Sequence, residues 1–153
     1  MSAVSSPEYW LQLIRQDLPD FRDEQLVSPA DPNYNCLAWA LNCNSKMFDE
    51  GKGCFWPWTH LDANTVEGWC GVLSIHGFSD CDNAKFEVGI EKVAIYEDAN
   101  GVSHAARMDQ TGKWKSKLGA FGPDIDHDDL PCLLPLYGNV VRIMQRRRPD
   151  WEA

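Results

Sequence analysis

From Ile90 onward, apolar residues stop recurring at every third or fourth position and begin to alternate. That change of period constrains the fold more than any other feature, because a period of two fits a strand with one face against a core. Ile90–Tyr96 and Val102–Met108 read as strands, and Asn100-Gly101 between them is the strongest short hairpin signal. Asp109–Gly112 turns the chain again. Lys113–Leu118 then alternates strictly, with Lys113, Lys115 and Lys117 outward and Trp114, Ser116 and Leu118 inward. Residues 119–135 read as loop, with an acidic cluster at Asp124, Asp126, Asp128 and Asp129, and Val140–Met144 reads as a last strand.

Ahead of this run the pattern is helical. Ser6 caps a helix that starts at Pro7, carries Trp10, Leu13, Ile14 and Leu18 on one face, and stops at Pro19. Residues 20–35 read as a polar loop leading into Asn35–Asn42, apolar nearly all round and so a buried helix. A long irregular connection over 43–63 follows. Asn64 and Glu67 have capping-box spacing, Val66, Trp69, Cys70 and Leu73 form an apolar stripe, and Gly77 ends the helix. Residues 78–88 read as loop. Helices first and antiparallel strands second indicate an α+β fold, with the helices on one side of the sheet. A chain of 153 residues is one domain, spanning 1–153, with a frayed N-terminus at 1–5 and a basic tail at 146–153 carrying Arg146, Arg147 and Arg148.

Composition excludes several functions. The net charge of −9 and a pI near 4.7 argue against nucleic-acid binding and against an anionic membrane surface. No apolar run approaches the ~20 residues of a membrane span, and MSAVSSPEYW lacks the basic and apolar regions of a signal peptide. The expected location is the cytoplasm, with export as an effector the alternative. Cysteines at 36, 43, 54, 70, 81 and 132 include no C-x-x-C pair, so disulfides, a zinc ribbon and a redox motif are unsupported. No cofactor or metal is expected. A metal site built from Cys36, His104 and His127 has no motif spacing behind it. Nor does the acidic cluster match an EF-hand.

Cys36 and His104 are the pair that could carry chemistry. A thiol opening a helix meets unsatisfied backbone N–H groups that favour the thiolate; its bland alternative is a small buried hydrophobe. His104 shares a strand face with Val102, Ala106 and Met108, where a histidine is ordinarily a packed core residue. A turn at 109–112 that pairs Met108 with Gly112 sets Ser116 opposite His104, so Ser116 can orient the ring. Asp124, His127 and Glu97 are the other candidates, Glu97 lying opposite His104 across a two-residue Asn100-Gly101 turn. Asn33 and Asn35 are candidate oxyanion donors beside the Cys36 amide. Trp39, with Trp56 and Trp58 in GKGCFWPW, forms either a packed loop or the aromatic wall of a binding cleft.

Tyr34–Ala40, Glu91–Tyr96, His104–Arg107, Trp114–Gly119 and Asp124–His127, in that order across about residues 33–141, resemble a bacterial family known as a domain of unknown function. More distantly, a cysteine at a helix start followed by a histidine on a strand is similar to papain-like hydrolases, NlpC/P60 amidases among them. That resemblance implies a papain-like α+β fold with Cys36 as nucleophile, His104 as general base and Ser116 as the third residue. The activity implied is hydrolysis of an amide, in a peptide, a protein side chain or a cell-wall peptide. The alternative is a non-catalytic module that binds a ligand or protein at the aromatic cleft.

Overall fold

A computed structural model describes residues 7–19, 21–28, 34–41, 43, 45–50, 53–118 and 123–148. The elements run α1 (Pro7–Asp17), β1 (Leu26–Ser28), α2 (Cys36–Ala40), α3 (Val66–Ile75), β2 (Ser79–Cys81), β3 (Ile90–Asp98), β4 (Gly101–Met108), β5 (Trp114–Lys117), β6 (Asp124–His127), α4 (Leu134–Tyr137) and β7 (Asn139–Arg147). The seven strands form one antiparallel sheet in the order β1-β6-β5-β4-β3-β7-β2. The α+β class and the β3–β4–β5 meander agree with the alternating pattern. Among the described residues no helix is long and apolar enough to cross a membrane.

The helices do not share one side of the sheet. Leu37 and Trp39 of α2 and Trp69 and Leu73 of α3 pack with Val93, Ile95, Ala105 and Met144. Ile14 of α1 packs instead with Ala94, Tyr96, Ala106, Trp114 and Ile125 on the other face. Two covered faces explain why Glu91 through Tyr96 are all buried: both parities of a central strand lie in a core. Charged side chains caught there are paired. Arg146 Nε donates to Glu91 Oε2 at 2.9 Å, and Lys92 Nζ donates to Asn83 Oδ1 at 2.8 Å and Glu87 Oε1 at 3.1 Å.

Several sequence expectations change. Three strands lie where loop was expected: β1, β2 and β6. Lys117 is fully buried over the Tyr34 ring, 4.9 Å from its centroid, rather than pointing to solvent. The cap of α3 is Thr65, whose Oγ1 accepts from Gly68 N at 3.0 Å, not Asn64. Arg146 and Arg147 belong to β7, and Arg148 is buried with Nη2 donating to Met108 O, so this basic run is anchored structure. The expected frayed N-terminus, 1–5, and residues 149–153 of the expected basic tail lie outside the described residues.

The turn after α4 depends on a glycine. Gly138 has φ 83° and ψ −142°, and a Cβ there would lie 2.3 Å from Glu97 O. Gly89 has a similar φ of 81° with nothing within 4 Å. Gly138→Ala should therefore cost roughly 3 kcal/mol and Gly89→Ala about 1 kcal/mol. Urea unfolding of both variants checks this; equal losses would show that the α4–β7 turn gives way without cost.

Candidate functional site

Cys36 opens α2, as the sequence suggested, and Asn35 is the cap. Asn35 Oδ1 accepts from Ala38 N at 3.1 Å and Phe48 N at 3.3 Å, and its Nδ2 donates to Phe48 O at 2.7 Å. The Asn35 amide is thus committed to holding two segments together, not presented as an oxyanion donor. Asn33 lies outside the described residues. The Cys36 thiol is buried beside the Ala105 backbone. Burial pushes its pKa up to about 11, and the Ala105 backbone and the Lys117 charge only partly oppose this. The thiol is protonated at neutral pH, the opposite of an activated nucleophile.

His104 points to the other face. It pairs across the strands with Tyr96, whose neighbours Val93 and Ile95 face α2 while Tyr96 itself faces the α1 side. The imidazole stacks on Tyr137, with centroids 4.0 Å apart and planes 5° off parallel. Cys36 lies over Ala105 on the α2 side, so the backbone of β4 separates thiol from imidazole. The two residues expected to form a dyad are on opposite sides of the sheet.

The structure instead joins His104 to two of its expected partners. His104 Nε2 is 2.8 Å from Ser116 Oγ, Ser116 Oγ is 2.8 Å from His127 Nε2, and His127 Nδ1 is 2.8 Å from Asp129 O. The Asp129 carbonyl can only accept, so His127 carries its proton on Nδ1 and its Nε2 accepts. Ser116 must then donate to His127 and accept from His104, whose proton sits on Nε2. His104 Nδ1 is a bare lone pair with no hydrogen-bond partner among the described residues. A second proton on His127 would meet the Ser116 proton, and one on His104 would leave a buried Nδ1–H with no acceptor among the described residues, so both rings are neutral here. Burial drives the His104 pKa well below its ordinary value, with His127 adding to the effect, and burial also lowers that of His127 against the nearby Asp129 carbonyl and carboxylates.

The face of Ser116 was legible, though not its register. Met108 pairs with Trp114 rather than Gly112, a shift of two that keeps the same parity. Glu97 is not opposite His104: a bulge sets it against Val102, and it is exposed. Asp124 faces the α2 side, where its Oδ2 accepts from Tyr34 Oη at 3.4 Å. The metal alternative fails on the same geometry, since Cys36 lies across the sheet from the two histidines, whose facing nitrogens are taken by Ser116. Trp39 is buried beneath the Arg107 guanidinium, 4.1 Å from its ring. Trp58 meets Phe48, Phe55 and Trp56 edge-on at 5.1–5.6 Å, and Trp56 Nε1 donates to Leu61 O at 3.0 Å. These rings pack against one another and onto the α2-side core.

An open cavity of about 460 Å³ lies on the α1 side, where the serine–histidine chain ends. Leu18, Phe21, Ile125, His127, Cys132 and Leu134 line it, and Asp17, Arg22, Asp128 and Asp129 supply its charge. The Asp129 carbonyl that accepts from His127 is also 3.1 Å from Cys132 Sγ. Sequence reasoning missed this site because its walls come from segments read as a helix stop and two loops. Leu18-Pro19 before Phe21, and the apolar Leu130–Leu136 stretch, were the available signals.

A family model described as a domain of unknown function, DUF7689, matches residues 25–145. The chain belongs to that family. No curated protein and no solved structure matches it. The match takes in Cys36 and the whole His104–Ser116–His127 chain of this DUF7689 domain, and stops short of α1, which supplies one wall of the cavity.

Because both imidazoles titrate below their ordinary pKa of 6.5, the unfolded chain takes up protons that the folded domain refuses as pH falls below that value. Stability is therefore complete above about pH 6.5 and is lost as the pH falls. Urea unfolding at a series of pH values should show this, with a shallower loss for His104→Phe, which keeps an aromatic ring on Tyr137. Ser116→Ala, which orphans two buried ring nitrogens, should cost roughly 2–4 kcal/mol at neutral pH. An unchanged pH slope in His104→Phe would contradict the neutral chain.

Proposed function

We propose that this domain is a ligand-binding module, and that its ligand occupies the cavity beside His127. The cavity itself carries the proposal: its volume falls in the ~300–1,000 Å³ class of small-molecule sites, and its apolar walls converge on a few placed polar groups. The histidine chain supports it mechanically. By tying β4, β5 and β6 together, it holds the His127 ring rigid as part of the cavity wall, so the site is preorganised.

A papain-like hydrolase acting on a peptide, side-chain amide or cell-wall peptide is the reading that the cysteine-then-histidine order favours. Its geometry needs Cys36 and His104 on one side of the sheet, and its chemistry needs a thiolate. Burial opposes the second, and strand parity opposes the first. The domain also takes no nucleic acid on this account, because Arg146 is bound to Glu91 and His76 O, and Arg148 to Met108 O, in a chain of net charge −9.

Two measurements test these readings. Amide chemical shifts followed during a screen of small apolar fragments should move at Leu18, Ile125 and His127; responses confined to the Trp56 and Trp58 indoles would transfer the site to the aromatic cluster. Iodoacetamide applied to the native protein should label exposed Cys54 and leave Cys36 untouched until the chain is unfolded. Labelling of Cys36 ahead of Cys54 at about pH 6, well below the ~8.5 of a free thiol, would restore the hydrolase.

A further inference from the structure

The cavity beside His127 has a sign of charge as well as a shape. Among the described residues three carboxylates line it, from Asp17, Asp128 and Asp129, against one cation, Arg22. That cation is already engaged: Arg22 Nε lies 3.0 Å from Glu24 Oε1 and its Nη1 lies 3.7 Å from Asp128 Oδ2. Asp17 is the last residue of the eleven-residue α1, and Leu18 and Pro19 follow it into the cavity wall. The cavity therefore adjoins the negative end of a helix dipole, which attracts cations. Apolar surface continues to the mouth, where Leu134 is 51% exposed.

His127 contributes no charge and no free donor. Its Nδ1–H is given to the Asp129 carbonyl and its Nε2 is taken by Ser116, so a ligand meets the ring rather than a nitrogen. The Asp129 carboxylate is partly used by the Cys132 amide, which donates to Oδ1 at 2.9 Å. Asp17 and Asp128 are exposed to solvent, and the 3.7 Å pair with Arg22 engages one oxygen of Asp128. They are the carboxylates with capacity left for a ligand charge.

We infer that the ligand is a small organic cation, an amine on an apolar body, with the body against Leu18, Phe21, Ile125 and the His127 ring and the ammonium among the acidic side chains. This rests on the ligand-binding reading above and adds the chemical class. An organic anion would face those carboxylates and the helix end together, and a neutral apolar molecule would leave their field unused.

A matched series separates the two claims: phenethylamine, 2-phenylethanol and 3-phenylpropionate, titrated into the full chain and followed by the amide signals of Ile125 and His127. The amine should bind roughly five- to tenfold more tightly than the alcohol, with the acid weakest, and added salt should narrow the gap. Asp17→Asn with Asp128→Asn, both at exposed positions where folding is little disturbed, should erase the amine's advantage and leave the alcohol's affinity unchanged. Equal binding of amine and alcohol by the natural chain would overturn the cation assignment while the ligand-binding reading stands. Failure of all three to move Ile125 or His127 would overturn both.

Discussion

Ser116 sits fully buried between two imidazoles, and most of the site's geometry depends on what its hydroxyl does. It accepts from His104 on β4 and donates to His127 on β6, so three adjacent strands are locked by side chains as well as by their backbone ladders. A hydroxyl is suited to this because one small oxygen atom both gives and takes a hydrogen bond. Its orientation is set at the far end by the Asp129 carbonyl, which fixes the His127 tautomer and, through Ser116, that of His104. Tyr96 adds a parallel tie, its hydroxyl donating to Leu130 O at 2.7 Å. Together these bonds pin the segment 127–130 against the sheet and so position one wall of the cavity.

The same sheet accounts for what Cys36 does not do. Its central strands are buried on both faces, one under α2 and α3 and the other under α1. The Cys36 thiol, resting over Ala105, and the imidazole of His104, the residue before it, lie at neighbouring positions along β4 and are divided by the strand itself. The α2 face has its own buried polar set, with Lys117 over Tyr34 and Tyr34 bonded to Asp124. On both faces the buried polar side chains bond within their own layer, His104 Nδ1 excepted among the described residues.

Much of the architecture was readable in the residues. The Asn100-Gly101 hairpin, the β4–β5 turn and the α3 stripe are local signals, and local signals survive folding. Ser116 and His104 were legible as neighbours because strand parity is insensitive to a two-residue error in register. What stayed hidden needed long-range information. Nothing within Asp124–His127 announces a strand, since its pattern is formed by pairing to β5 and β1. Period two states that a strand has two faces without stating that both are covered, so Cys36 and His104 could be ordered along the chain but not assigned to sides. The cavity walls come together from residues more than a hundred positions apart.

Nitrogen chemical shifts of the imidazole rings, read through long-range proton–nitrogen correlation at neutral pH, test the central arrangement most directly. The account predicts two opposite neutral tautomers in one protein: His104 protonated on Nε2, with Nδ1 at the shift of a bare lone pair, and His127 protonated on Nδ1. Finding the same tautomer for both rings, or the averaged shifts of rings exchanging freely with solvent, would contradict it.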